Sequence, residues 1–201
     1  METFTLRYRR NTAPHRGLAA TGIIFLKMLL ALPHLVVIGA LANVANVLAY
    51  IGFWIVAFTG QMPQAVHQML EMNLSWSTRT WAWIAGLEDV YPPFETHPAY
   101  SASFPVSPPE NPSRGWAVAG LLLFPKALAL IPHAIALAFV GIGAVFAVWF
   151  GYIVTALTGT YPAGIQDFLA GVMQWSLRVQ AWFTGLTDEY PPFSLQVTPT
   201  E

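Results

Sequence analysis

The sequence predicts an all-α integral membrane protein built of two tandem helical repeats, and three observations carry that prediction. The first is a repeated block. Lys27, Pro33, His34, Gly60, Pro63, Trp76, Arg79, Trp83, Gly86, Asp89 and Tyr91-Pro92-Pro93-Phe94 return as Lys126, Pro132, His133, Gly159, Pro162, Trp175, Arg178, Trp182, Gly185, Asp188 and Tyr190-Pro191-Pro192-Phe193, each 99 positions later. Residues 27–94 and 126–193 align without a gap and share 23 identities in 68 positions, the mark of one supersecondary unit used twice. The second is composition: 55% of the 201 residues are hydrophobic and 9% are charged, far from the balance of a soluble domain. The third is a pair of apolar runs. Between 19 and 59 only Lys27 and His34 can carry a charge near neutral pH, and between 116 and 158 only Lys126 and His133; each run is about twice the ~20 residues that cross a bilayer core.

Residues 1–15 form an N-terminal segment. Phe4, Leu6 and Tyr8 alternate there with polar neighbours, the period of a half-buried strand over 2–8, and 100–106 and 193–197 read similarly. Short strands outside the bilayer therefore have a place in the fold. Repeat 1 occupies 16–94. It opens with an apolar segment, 18–34, in which Lys27 snorkels to the headgroups and Pro33 kinks a tilted or re-entrant helix. The next 24 residues, 35–58, carry no charge and, at about 36 Å, are long enough for one crossing. Thr59-Gly60-x-x-Pro63 stops that helix and starts another, 64–86, whose Gln64, His67, Gln68, Glu71, Asn73 and Arg79 make it an amphipathic helix lying in the interface. The paired prolines of Tyr-Pro-Pro-Phe end it.

A linker follows at 95–113, extended by Pro98, Pro105, Pro108, Pro109 and Pro112. Repeat 2, 114–195, has the same order, and 196–201 is a tail. An odd number of crossings per repeat would invert the two copies, an even number would leave them parallel. The matched charges show no asymmetry that would flip one copy, which favours the parallel arrangement. Four of the nine Lys and Arg residues, Arg7, Arg9, Arg10 and Arg16, precede the first apolar run and place the N-terminus of a multi-pass protein on the cytoplasmic side.

Ten residues are candidates for contact with lipid or with a partner. Lys27 and His34, like Lys126 and His133, stand seven apart on one helix face and could hold a lipid phosphate or a partner carboxylate; the plainer reading is a snorkelling lysine and a histidine that caps backbone freed at the proline. Trp76, Arg79 and Trp83, repeated as Trp175, Arg178 and Trp182, set a guanidinium between indoles, which suits cation-π stacking and an aromatic belt at the membrane interface. Glu88, Asp89, Asp188 and Glu189 belong to solvated turns and not to an acid/base pair. The Tyr-Pro-Pro-Phe runs are either docking segments or rigid helix exits. Gly39, Gly52, Gly141 and Gly143 allow close helix packing, with Asn43 and Asn46 facing a neighbouring helix.

Other classes find no support. A formal charge of −1 and the lack of a basic stripe argue against nucleic acid. The absence of cysteine excludes disulfides and thiolate chemistry, the five histidines lack metal-ligand spacing, and nucleotide-binding and hydrolase motifs are missing. No cofactor, metal or catalytic residue is assigned.

The order Lys, Leu-Pro-His, a long apolar stretch, Thr-Gly-x-x-Pro, Trp-Ser-x-Arg, Gly-Leu-x-Asp and Tyr-Pro-Pro-Phe resembles a bacterial family of small integral membrane proteins defined only as a domain of unknown function, in which the module occurs once or twice. The resemblance covers most of 16–94 and 114–195. In the first copy Glu95 stands where Ser194 closes the second, and Gln61-Met62 replaces Thr160-Tyr161. The family brings fold and location and no activity. The expected role is that of a non-enzymatic accessory or scaffolding subunit of a larger complex in the bacterial inner membrane, touching lipids and other subunits; the second reading is a small transporter, channel or lipid-handling protein.

Overall fold

The computed structural model describes residues 4–96 and 98–200 and, among these, shows six helices and no strand: α1 (Arg16–Ile23), α2 (Leu26–Thr59), α3 (Gln64–Ile84), α4 (Arg114–Leu121), α5 (Phe124–Thr158) and α6 (Ala163–Thr184). Residues 2 and 3 of the expected first strand, and His97, lie outside the described residues. The all-α, two-repeat fold is as expected: α1–α3 make one copy and α4–α6 the other. By length and composition α2 and α5 could each cross a membrane, with mean hydropathies of 2.0 and 2.3.

The helix boundary within each apolar run differs from the expectation. Pro33 and Pro132 do not separate two segments; α2 and α5 run unbroken through them. The chain breaks earlier, at Phe25 and Leu123, whose φ values of 60° and 57° make a tight corner between the short helix and the long one. A proline removes one N–H from the helix ladder, and the fold seals the weakened turn from outside. Tyr91 donates its hydroxyl to the Leu30 carbonyl at 2.9 Å and Tyr190 to that of Ala129 at 2.6 Å, three residues before each proline.

Packing follows three layers. The two long helices each lie against the last helix of their own repeat, α2 on α3 and α5 on α6, and α3 contacts α6. Over the far side of α3 and α6 lie extended segments of the N-terminus, linker and tail. Leu6, Tyr8, Ala102, Phe104 and Val106 are buried there against Leu70, Leu74, Leu169 and Leu177. Of the expected strands only one antiparallel bridge forms, Arg7 with Ser103. The alternation was real, but the segments pair with helix side chains: Leu6 N–H donates to Gln174 Oε1 (2.8 Å), Asn11 N–H to Gln166 Oε1 (2.8 Å), and Gln174 Nε2 to the Gln196 carbonyl (2.7 Å). This covering leaves α3 buried along most of its length, in place of an amphipathic helix open to headgroups.

The repeats also exchange their first helices. α1 packs on α5, and α4 on α2. A Cβ on Gly22 would overlap the Tyr152 ring, and one on Gly120 would stand 2.6 Å from the Phe53 ring, so each glycine lets an aromatic of the other repeat close on the helix backbone. The last acid of each repeat holds the start of its first helix: Asp89 accepts from His15 N–H and Asp188 from Ser113 N–H, both at 2.6 Å.

The N-terminal segment is pinned by an ion pair. Asp167 takes Arg10 Nη2 at 2.7 Å and Nε at 2.9 Å, and accepts the Tyr8 hydroxyl. The Arg10 guanidinium holds the Asp167 carboxyl below its ordinary value, against the opposing effect of burial, with Tyr8 adding to the lowering. A carboxylate of depressed native pKa stabilises the folded arrangement above the unfolded value of about 3.9 and loses that contribution as pH falls through the native value. Hydrogen exchange at the Leu6 amide is therefore expected to accelerate below that range, and Asp167→Asn to speed tryptic cleavage after Arg9 and Arg10 several-fold at pH 8. Equal cleavage rates in the two proteins would remove the pin.

Candidate functional site

Each repeat builds the same polar cluster where the beginning of its long helix meets the end of its last one. The Lys27 ammonium donates to the Trp83 carbonyl at 2.8 Å, and Lys126 to that of Trp182 at 2.8 Å. Each also lies over two rings, one from its own repeat and one from the other: Lys27 is 4.7 Å from the centroid of Trp83 and 5.1 Å from that of Tyr152, and Lys126 is 4.8 Å from Trp182 and 4.5 Å from Phe53. Ring quadrupoles and a helix-end carbonyl together replace the water that the charge gives up.

Two turns on, Trp76 donates its indole N–H to His34 Nδ1 at 3.0 Å and Trp175 to His133 Nδ1 at 2.9 Å. Because Nδ1 accepts, the ring hydrogen sits on Nε2. Phe94 stacks on His34 with centroids 3.9 Å apart and Phe193 on His133 at 3.8 Å. The Tyr-Pro-Pro-Phe runs are thus docking segments that bind their own repeat. Arg79 lies 4.4 Å over Trp76 and donates to the Glu95 carbonyl; Arg178 donates to the Phe4 carbonyl at 2.7 Å.

All ten candidate residues are turned inward, none more than 9% exposed. The cation-π pairing expected of Arg79 and Trp76 is present. The lysines do not snorkel and the tryptophans form no outward belt: a carbonyl, two rings and the Pro-Pro exit meet them inside the protein. Sequence reading missed Tyr91, Tyr190, Phe53, Tyr152 and Tyr161 as members. The signal lay in the duplicated tyrosines and in the aromatic kept at 53 and 152.

The two clusters differ in what surrounds them. Tyr161 donates to the Ala85 carbonyl at 2.8 Å and Tyr152 to that of Ile84, filling the first cluster; a pocket of only about 10 Å³ remains beside Lys27. Their counterparts are Met62 and Phe53, and Val47 and Tyr50 stand where the first cluster has Phe146 and Trp149. Smaller groups leave an apolar groove of about 450 Å³ along Asn46, Tyr50 and Phe53, with Lys126 at its floor. Among the described residues no group of three or more His, Asp or Glu side chains could hold a metal ion.

No curated protein matches this chain, and no solved structure does. One family model matches it twice, at residues 23–95 and 122–194, and each match contains one long helix, one packed helix and one aromatic-cation cluster. Those two matches take in most of the chain, which therefore belongs to the family described as Domain of unknown function (DUF4389).

Proposed function

We propose that this is a non-enzymatic protein of the bacterial inner membrane, its N-terminus on the cytoplasmic side, acting as an accessory or scaffolding subunit that receives an apolar helix of another membrane protein. One observation carries the reading: Asn43 and Asn46 are exposed in the middle of α2, where α5 has Ile142 and Val145. Asn43 Nδ2 turns back to the Gly39 carbonyl at 2.7 Å, and, beyond the adjoining backbone of α2 and the residues next to it, nothing comes within 4 Å of a Cβ built on Gly39. Amides and a bare glycine on an otherwise greasy face suit close helix packing with hydrogen bonds across it. Lys27, Lys126, His34, His133, Asp89, Asp167 and Asp188, in contrast, each make a contact that holds the fold. Arg7, Arg9, Arg10 and Arg16 before the first apolar segment support the cytoplasmic placement.

Purification in mild detergent is expected to bring down a stoichiometric membrane-protein companion, and Asn43→Leu/Asn46→Leu to lose it while the chain stays folded. A wild-type protein that emerges alone, or a companion retained by the double variant, would count against the reading.

A further inference from the structure

We infer that α2 and α5 lie within one leaflet, parallel to the membrane plane, and that the protein presents this face to lipid without crossing the bilayer. The inference goes beyond the proposed function, since a scaffold could equally well span.

The outward faces come first. Leu29, Leu32, Val36, Val47, Ile51, Trp54 and Phe58 share one exposed face along α2, interrupted midway by Asn43. Leu128, Ile131, Ile135, Phe139, Ile142, Phe146 and Leu157 form another along α5. Each runs about 44 Å at 1.5 Å per residue, against a hydrocarbon core of about 30 Å. A straight helix would need a tilt of about 45° to bury it, beyond the usual range. The corners before the long helices are greasy as well, with Ile24 70% and Phe124 71% exposed.

The opposite side decides the orientation. α5 stays beside α6: Lys126 meets Trp182, His133 meets Trp175, and Tyr161 closes on Gly151. The other side of α6 carries the N-terminal segment along its length, from Arg178 holding the Phe4 carbonyl to Gln166 holding Asn11 N–H. Arg7 and Arg9 of that segment are exposed. Standing α5 upright across the bilayer would carry α6, this irregular backbone and both arginines into hydrocarbon, where such groups are not tolerated against lipid. Laying it flat puts the long helices in the acyl region, α3 and α6 above them, and the extended segments in water.

Orientation is testable because the chain has no cysteine. α2 and α5 run antiparallel, the start of each lying against the far end of the other through Lys27 with Tyr152 and Lys126 with Phe53. Spanning helices would therefore put the exposed loop residues Gln61 and Thr160 on opposite sides. In sealed vesicles of known orientation, Gln61→Cys and Thr160→Cys are expected to react with a membrane-impermeant maleimide from the same side. Labelling from opposite sides overturns the inference. Polarised infrared spectroscopy of the unmodified protein in oriented bilayers gives an independent reading: helix axes in the plane support the inference, axes along the normal overturn it. A chain found in the soluble fraction after ultracentrifugation would overturn membrane residence itself, whereas opposite-side labelling would leave the scaffold reading standing.

Discussion

Gly120→Leu is expected to lower the thermal midpoint of the detergent-purified protein by about 6–12 °C. The side chain would have to enter the space held by the Phe53 ring, 2.6 Å from where its Cβ begins. Forcing extra carbons into a packed site costs about 1–3 kcal/mol, and the upper end applies here because the neighbour is a rigid ring in a buried cluster. For a chain of this size each kcal/mol moves the midpoint by about 2–4 °C. The loss should be local to the exchanged interface, so Gly120→Ala should cost less in a Phe53→Ala background, where the ring atoms that its Cβ would meet are gone, than in the wild-type protein. Gly22→Leu meets Tyr152 in the same way. A midpoint within 2 °C of wild type for Gly120→Leu would show that α4 does not dock on α2.

Lys27→Met is the second large effect. Methionine keeps much of the stem's volume and removes the ammonium, so the Trp83 carbonyl loses its 2.8 Å donor and two rings lose their cation. The carbonyl still accepts from Gly86 N–H at 3.1 Å, so the loss is that of one charge-assisted hydrogen bond, about 1.5–3 kcal/mol, and the lost ring contacts add to this. A fall of about 5–10 °C in the midpoint is expected. Lys126→Met should cost less, because Lys27 has both Asp89 and Glu88 as electrostatic neighbours and Lys126 has Asp188. The counterpart of Glu88 is Thr187. Equal losses, or none for Lys27, would mean that the ammonium is solvated where the structure buries it.

The gapless repeat made the two-copy helical fold legible, since the spacing of Lys, Pro-His, Trp and Tyr-Pro-Pro-Phe leaves little freedom in element order. The corners at Phe25 and Leu123 were hidden. A positive φ in a bulky apolar residue carries no local signal and persists only because surrounding packing imposes it. Pro33 gave the opposite error, a strong local breaker overridden once Tyr91 supplied a hydrogen bond beside it. The site was half legible: Arg79 over Trp76 follows from spacing along one helix, but the Lys27 contact with Tyr152 joins residues of different repeats. The burial of α3 depended on segments distant in sequence, such as 100–106, covering a face that looked ready for the membrane interface.

The reciprocal docking of α1 on α5 and α4 on α2 has a consequence for any relative that carries a single module. Such a chain would present both a socket and the helix that fits it, with no way to join them in one molecule. Two copies would satisfy each other as a symmetric pair, and the linker between residues 94 and 114 can be viewed as the tether that made such a pairing permanent.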